Sequence, residues 1–236
     1  MNPPRLSAGL ALLDIEGTTS PTAAVLGTLF PYARARLGPW VREHGDDPEV
    51  RRIVTEARSL LGEADAPVER VVAALARWSD DDRKVAPLKA LQGLIWAAGF
   101  AAGELDGELF DDVAPALRRW HAAGVRLAVF SSGSARAQRA WFAATPAGDL
   151  TSLFDGYFDI DSAGPKRDPA AYRRIAAELA VTPPRAVFLS DVSAELDAAG
   201  AAGFATVAVL RPDEPHHVAG THHCVASFAE LAIDPA

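Results

Sequence analysis

The chain has 236 residues, a formal net charge of −8 and a hydrophobic fraction of 49%. That length and apolar content allow one ordinary domain with a smaller one beside it, and the acidity argues against general nucleic-acid or membrane-surface binding. The single cysteine, Cys224, excludes an internal disulfide and fits a reducing compartment; it reads as a small, partly buried hydrophobe rather than a catalytic thiol.

The first element is a short apolar run, Leu10 to Ile15, that ends in an acid and then Gly17-Thr18-Thr19. It predicts a buried parallel strand followed by a loop. The opening residues do not have the layout of a signal peptide, and no apolar stretch reaches the ~18 residues of a membrane helix, so a soluble, cytoplasmic protein is expected. From Pro21 to about Trp120 the pattern turns helical. Val25, Leu29, Tyr32 and Leu37 share one face; Val68, Val71, Val72, Leu75 and Trp78 share another; Leu88, Leu91, Leu94 and Ile95 share a third. A bundle of about four helices is predicted here. Asp80-Asp81-Asp82 reads as a solvated loop or cap within it.

After Trp120 strands and helices alternate. Val125–Phe130 is a predicted strand, followed by Ser131-Ser132-Gly133-Ser134 and a helix through Phe142. A helix covers Ala170 to Leu179, and a strand runs from Ala186 to Leu189 and ends at Ser190-Asp191. A helix follows over Ser193 to Ala202, and the last predicted strand is Thr206 to Leu210. Alternation of this kind implies βαβ units and a parallel sheet. The fold class is therefore α/β. A Rossmann-like core is built from residues 1–20 and 121–236, and a helical cap domain, residues 21–120, is inserted after the first strand.

Four polar positions fall at strand C-terminal ends or in the loops beside them, the edge where open α/β sheets bind ligands. They are Asp14 with Glu16, Ser131 with Ser132, Lys166, and Asp191. Each has a plain structural reading taken singly, as a turn, a cap or a surface charge. Together they supply converging carboxylates, which call for a divalent cation, and oxygen-only donors suit Mg²⁺. A cation, an ammonium, hydroxyls and loop N–H groups make a phosphate site.

The run DIEGTT from Asp14, with FSSGSARAQ, GPKRDPAAYRRIA and FLSDVSAELDAAGAAG after it, resembles the four motifs of the haloacid dehalogenase superfamily. Glu16 at the second acidic position, LFPYAR at Leu29 to Arg34, and LQGLIWAAGFAAGEL from Leu91 to Leu105 are similar to the enolase-phosphatase (acireductone synthase) family within it. The resemblance implies a nucleophilic Asp14 that forms an aspartyl-phosphate. It implies Mg²⁺ held by Asp14, the carbonyl of Glu16 and Asp191. Ser131, Ser132 N–H and Lys166 would hold the phosphoryl group, and Glu16 would be general acid and base. The implied substrate is 2,3-diketo-5-methylthiopentyl-1-phosphate, enolised and then dephosphorylated to an acireductone in methionine salvage, under a cap that excludes water. Glu16 is one candidate for the enolising base, and Glu104 is the cap acid to test if a catalytic group resides there. Another small phosphate ester on the same fold is the alternative reading. A small-molecule partner is expected, with no nucleic acid, no membrane and a monomeric state.

Overall fold

Leu10–Leu13, strand β2, is wholly apolar and wholly buried, as a strand covered on both faces must be. In the computed structural model, which describes residues 5–215 and 220–236, it is a central strand of a six-stranded sheet. The order is β4 (Phe154–Phe158), β3 (Arg126–Phe130), β2, β5 (Ala186–Ser190), β6 (Ala205–Val209), β7 (His223–Val225). Every neighbouring pair is parallel. Leu13 sits in register between Val129 of β3 and Leu189 of β5. A separate parallel pair joins β1 (Arg5–Ser7) to β8 (Ala232–Asp234).

The chain builds outward from β2 to β3 and β4, then returns to β5 on the other side of β2. The order therefore reverses between β2 and β5. Such a reversal opens a crevice at the strand C-terminal ends, because the loops leave the sheet in opposite directions. Asp14 and Asp191 are the first residues after these two strands.

Two compact units divide the chain, residues 1–22 with 106–236, and residues 23–105. The first holds the sheet and helices α6 (Val113–Ala122), α7 (Ala135–Ala143), α8 (Pro169–Glu178) and α9 (Ser193–Ala201). Its core includes Leu10, Leu12, Phe130, Tyr172, Ile175 and Phe188. Tyr172 meets the rings of Phe130, Phe188 and Phe204 edge-on, the arrangement aromatic quadrupoles favour. The second unit begins within a short turn, α1 (Thr22–Ala24), which passes through a π-helical turn (Val25–Leu29) into α2 (Phe30–Glu43). Three more helices, α3 (Pro48–Leu61), α4 (Val68–Asp80) and α5 (Ala86–Ala101), pack with α2 as a bundle. Asp47 caps α3 by accepting the N–H of Glu49 (2.7 Å), and Gly62 ends it in the left-handed conformation.

Two expectations from the sequence change, and one strand was not foreseen. The insertion was expected to run to residue 120, but the compact helical unit ends at Leu105. Val113, Ala116, Leu117 and Trp120 bury their face in the first unit, where α6 lies on β3. Cys224 is exposed rather than partly buried, because it lies on the short edge strand β7. Strand β4, with Asp155 and Gly156 in its middle, was not anticipated at all. The Asp80–Asp82 run ends α4, and Asp80 pairs with Arg34 at the surface.

Candidate active site

Asp14 leaves β2 into a loop so tight that the carbonyl of Ile15 accepts three N–H groups, from Thr18 (3.2 Å), Thr19 (2.9 Å) and Ser20 (2.9 Å). Gly17 makes the turn with φ +70, a left-handed conformation costly for residues with a Cβ. A Cβ there would stand 2.5 Å from Oδ2 of Asp191. The backbone of this loop therefore lies directly against the Asp191 carboxylate. Thr18, Thr19 and Ser20 have no exposed surface.

The Asp14 carboxylate is buried and held from three directions. The N–H of Ile15 donates to Oδ1 (2.8 Å), Lys166 Nζ lies 2.7 Å from the same oxygen, and Ser190 Oγ lies 3.0 Å from Oδ2. Lys166 reaches the site from the loop between β4 and α8, and its own carbonyl accepts a hydrogen bond from Tyr172 Oη (2.7 Å). Its ammonium also lies 2.5 Å from Glu195 Oε2 on α9. Burial by itself would lower the lysine pKa, but Asp14 and Glu195 outweigh it and the value is raised, so the ammonium stays charged.

On the β5 side, burial first and Asp14 second push Asp191 up from 3.8 to about 7, and Glu16 adds to the push. Burial and Asp14 likewise bring Glu195 to about 7. One ammonium thus faces an excess of carboxylates. A cation between Asp14 and Asp191 would relieve that excess. The carboxylates of Asp14 and Asp191 would offer it oxygen donors, which fit a hard divalent ion better than a soft one. The Gly17 backbone, close enough to Asp191 to exclude a Cβ, leaves the acid a cradle of the required kind. Among the described residues, no three His, Cys, Asp or Glu side chains gather as an all-protein cage. Two carboxylates would leave places for water and substrate oxygens around a small divalent ion.

Ser131 and Ser132 follow β3, the strand on the other side of Asp14. Ser131 stands two residues past Val129, level with Ile15. Its Oγ accepts a long hydrogen bond from Gly133 N–H (3.5 Å), and Ser132 is exposed. Buried Gln138 on α7 fixes this loop, its Nε2 donating to the carbonyls of Gly133 (2.8 Å) and Phe158 (2.8 Å).

The structure therefore gathers Asp14, Lys166 and Asp191 at the β2–β5 reversal, with Glu16 near Asp191 and the serines at the adjacent strand end. Sequence reasoning missed Ser190 and Glu195. The signal for Glu195 was its spacing four residues after Asp191, which returns a helical acid toward the strand end it follows.

A family model described as haloacid dehalogenase-like hydrolase matches residues 9–203. The chain belongs to the haloacid dehalogenase-like hydrolases. It is 90% identical, over all of both chains, to a protein of Frankia alni named enolase-phosphatase E1. It is 55% identical to one of the same name from Streptomyces avermitilis, covering 94% of each. By these relatives this hydrolase belongs to the enolase-phosphatase E1 family. A crystal structure of the UTR4 protein of Saccharomyces cerevisiae superposes with a TM-score of 0.79 at 30% identity, covering 93% of this chain and 98% of that one. Its likeness to CbbY of Rhodobacter sphaeroides, TM-score 0.59 at 23% identity over 94% and 96% of the two chains, extends to the fold alone.

Proposed function

We propose that this hydrolase is a Mg²⁺-dependent enolase-phosphatase of methionine salvage. It would enolise 2,3-diketo-5-methylthiopentyl-1-phosphate and then release its phosphate to give the acireductone. The observation that supports this reading most is Asp14: buried at the sheet's reversal point, oriented by Ile15 N–H and Ser190, and paired with an ammonium held in place by Glu195.

Asp14 attacks phosphorus in line. A bond forms from its carboxylate oxygen to phosphorus as the bond from phosphorus to the substrate oxygen breaks. Glu16 gives its proton to that leaving oxygen. As a carboxylate it then takes a proton from water, whose oxygen attacks the aspartyl-phosphate, freeing phosphate and restoring Asp14. Lys166 adds positive charge to the transferring group, and Ser131 with the N–H of Ser132 binds its oxygens. Asp14, the Glu16 carbonyl and Asp191 would hold Mg²⁺, which when bound would supply neutralising charge for the phosphoryl group and polarise the substrate carbonyl. In the preceding enolisation a base removes a proton from the carbon bearing the phosphate, the C–H electron pair forms the C=C bond, and the adjacent carbonyl oxygen takes a proton from water to become the enol. Glu16 is our candidate for that base.

The helical unit, residues 23–105, is assigned the choice of substrate, since Asp14, Glu16, Ser131, Lys166 and Asp191 all lie outside it. A cytoplasmic monomer completes the reading; no helix among the described residues is long and apolar enough to cross a membrane. The test is phosphate release from the diketone phosphate and from a panel of sugar phosphates, each with Mg²⁺ and with EDTA. Mg²⁺-dependent release that favours the diketone phosphate supports the reading. Preference for a sugar phosphate would move the chain to another substrate, and release in excess EDTA would refute the metal requirement.

A further inference from the structure

Arg211, two residues past β6, is 3% exposed, and nothing in the mechanism above uses it. Burying a guanidinium is costly unless its donors are all used. Here four hydrogen bonds run in two directions. Nη1 donates to both oxygens of Asp112 (2.7 and 2.8 Å). Nε (3.0 Å) and Nη2 (2.9 Å) both donate to one acceptor, the carbonyl of Thr18. The rings of Phe110 and Phe228 lie 4.4 and 4.9 Å from the guanidinium carbon. Asp112 is itself held by Ser227 Oγ (2.8 Å) and the N–H of Phe228 (2.5 Å).

Thr18 carries the arrangement onward. Its hydroxyl accepts the N–H of Asp191 (3.0 Å) and lies 3.4 Å from Asp191 Oδ1. A continuous chain of contacts thus runs from Asp112 through Arg211 and Thr18 to Asp191. The neighbouring residues of the loop have clamps of their own. Phe110 N–H donates to the Thr19 carbonyl (3.1 Å), and Trp141 Nε1 donates to Ser20 Oγ (3.0 Å). A planar fork can hold a carboxylate and a carbonyl at once; a lysine ammonium cannot reproduce both.

We propose that Arg211, anchored by Asp112, is a positioning residue. By gripping the Thr18 carbonyl it fixes the Thr18 hydroxyl that orients the Asp191 carboxylate for the divalent cation. The proposal rests on the reading above, in which Asp191 is a metal ligand. Groups that orient metal ligands characteristically affect metal affinity by about 10- to 100-fold.

The test titrates Mg²⁺ alone into the full-length protein and follows both its heat of binding and the Mg²⁺-dependent rise in melting temperature. Four variants are compared: Arg211→Lys, Thr18→Val, the double variant, and Asp191→Ala. Arg211→Lys keeps the charge beside Asp112 and loses the fork, whereas Thr18→Val keeps the shape and loses the hydroxyl. Each single variant should raise the half-saturating Mg²⁺ concentration about 10- to 100-fold. The double variant should be no worse than the poorer single one, since both act through one contact. A lowered melting temperature with an unchanged half-saturating Mg²⁺ concentration would make Arg211 merely structural and overturn the proposal, as would fully additive losses. Should Arg211→Lys fail to fold, an unchanged Mg²⁺ titration in Thr18→Val overturns it alone. Wild-type Mg²⁺ binding by Asp191→Ala would instead refute the ligand assignment on which the proposal stands.

Discussion

The helical unit and the sheet unit use charge in opposite ways. In the helical unit Arg34 pairs with Asp80, Arg36 with Glu104, and Arg42 with Glu69, all with side chains 41% exposed or more. Pairs of this sort add little, because water competes for both partners. What holds that unit is apolar: Leu37, Ile53, Val71, Leu75, Leu91 and Ile95 are buried there. The sheet unit instead buries Asp14, Lys166, Asp191, Glu195 and Arg211. Desolvating such groups costs several kcal/mol per ion, which contacts and hydrogen bonds must offset. Charges buried for stability alone could be exchanged for apolar side chains. Those at the β2–β5 reversal converge where the proposed phosphate chemistry would use them.

If that contrast is sound, the largest effect belongs to Asp14. Asp14→Asn keeps the shape and loses the nucleophile. Phosphate release should fall by about 10³- to 10⁶-fold, the upper figure being the loss seen when a covalent nucleophile is removed, while circular dichroism shows a native fold. A variant that releases phosphate at the wild-type rate would remove Asp14 from the mechanism.

Glu16→Gln sharpens the comparison next. The backbone carbonyl survives, so Mg²⁺ should still bind. Losing the protonatable carboxyl should slow phosphate release about 10²- to 10⁴-fold. Accumulation of an enol phosphate would assign enolisation to a different base. Formation of neither product would give Glu16 both steps. Wild-type release would leave Glu16 with its backbone alone.

A smaller effect concerns the metal-free protein. The pKa of Asp191 is raised on folding, so the folded chain keeps a proton that the unfolded chain releases near 3.8. Its contribution to stability is complete below that pH and lost as pH rises through about 7. Melting temperature in EDTA should therefore fall across this window, and Asp191→Asn should flatten the fall. An identical slope in the variant would show that Asp191 does not set it.

The smallest effect is expected in the helical unit. Glu69→Ala breaks the exposed pair with Arg42 and should leave both phosphate release and melting temperature nearly unchanged. A marked loss of either would erase the distinction between the two units.

Much of this was legible in the chain itself. The apolar run into Asp14 and the strand before Asp191 announce their own ends, and a parallel sheet brings such ends to one edge. The helical faces between Leu29 and Ile95 were mostly clear too, although Val68, expected on one of them, is exposed and Val25 falls in the π-helical turn. Periodicity, however, reports that a face is buried and not what it is buried against. That is why α6 could be assigned to the wrong unit. Arg211 was not legible, because its partner Asp112 lies 99 positions away and its own surroundings resemble an ordinary surface turn. Ser190 was hidden as the last residue of a buried strand, where its hydroxyl gives no pattern.

In the proposed mechanism one buried site at the β2–β5 reversal performs two reactions in order. An NMR time course on the diketone phosphate with the wild-type enzyme and Mg²⁺ tests it most directly, with phosphorus and proton signals read together. An enol phosphate should rise and decay before inorganic phosphate and acireductone accumulate. Inorganic phosphate appearing from the start beside the unenolised diketone alcohol would contradict it.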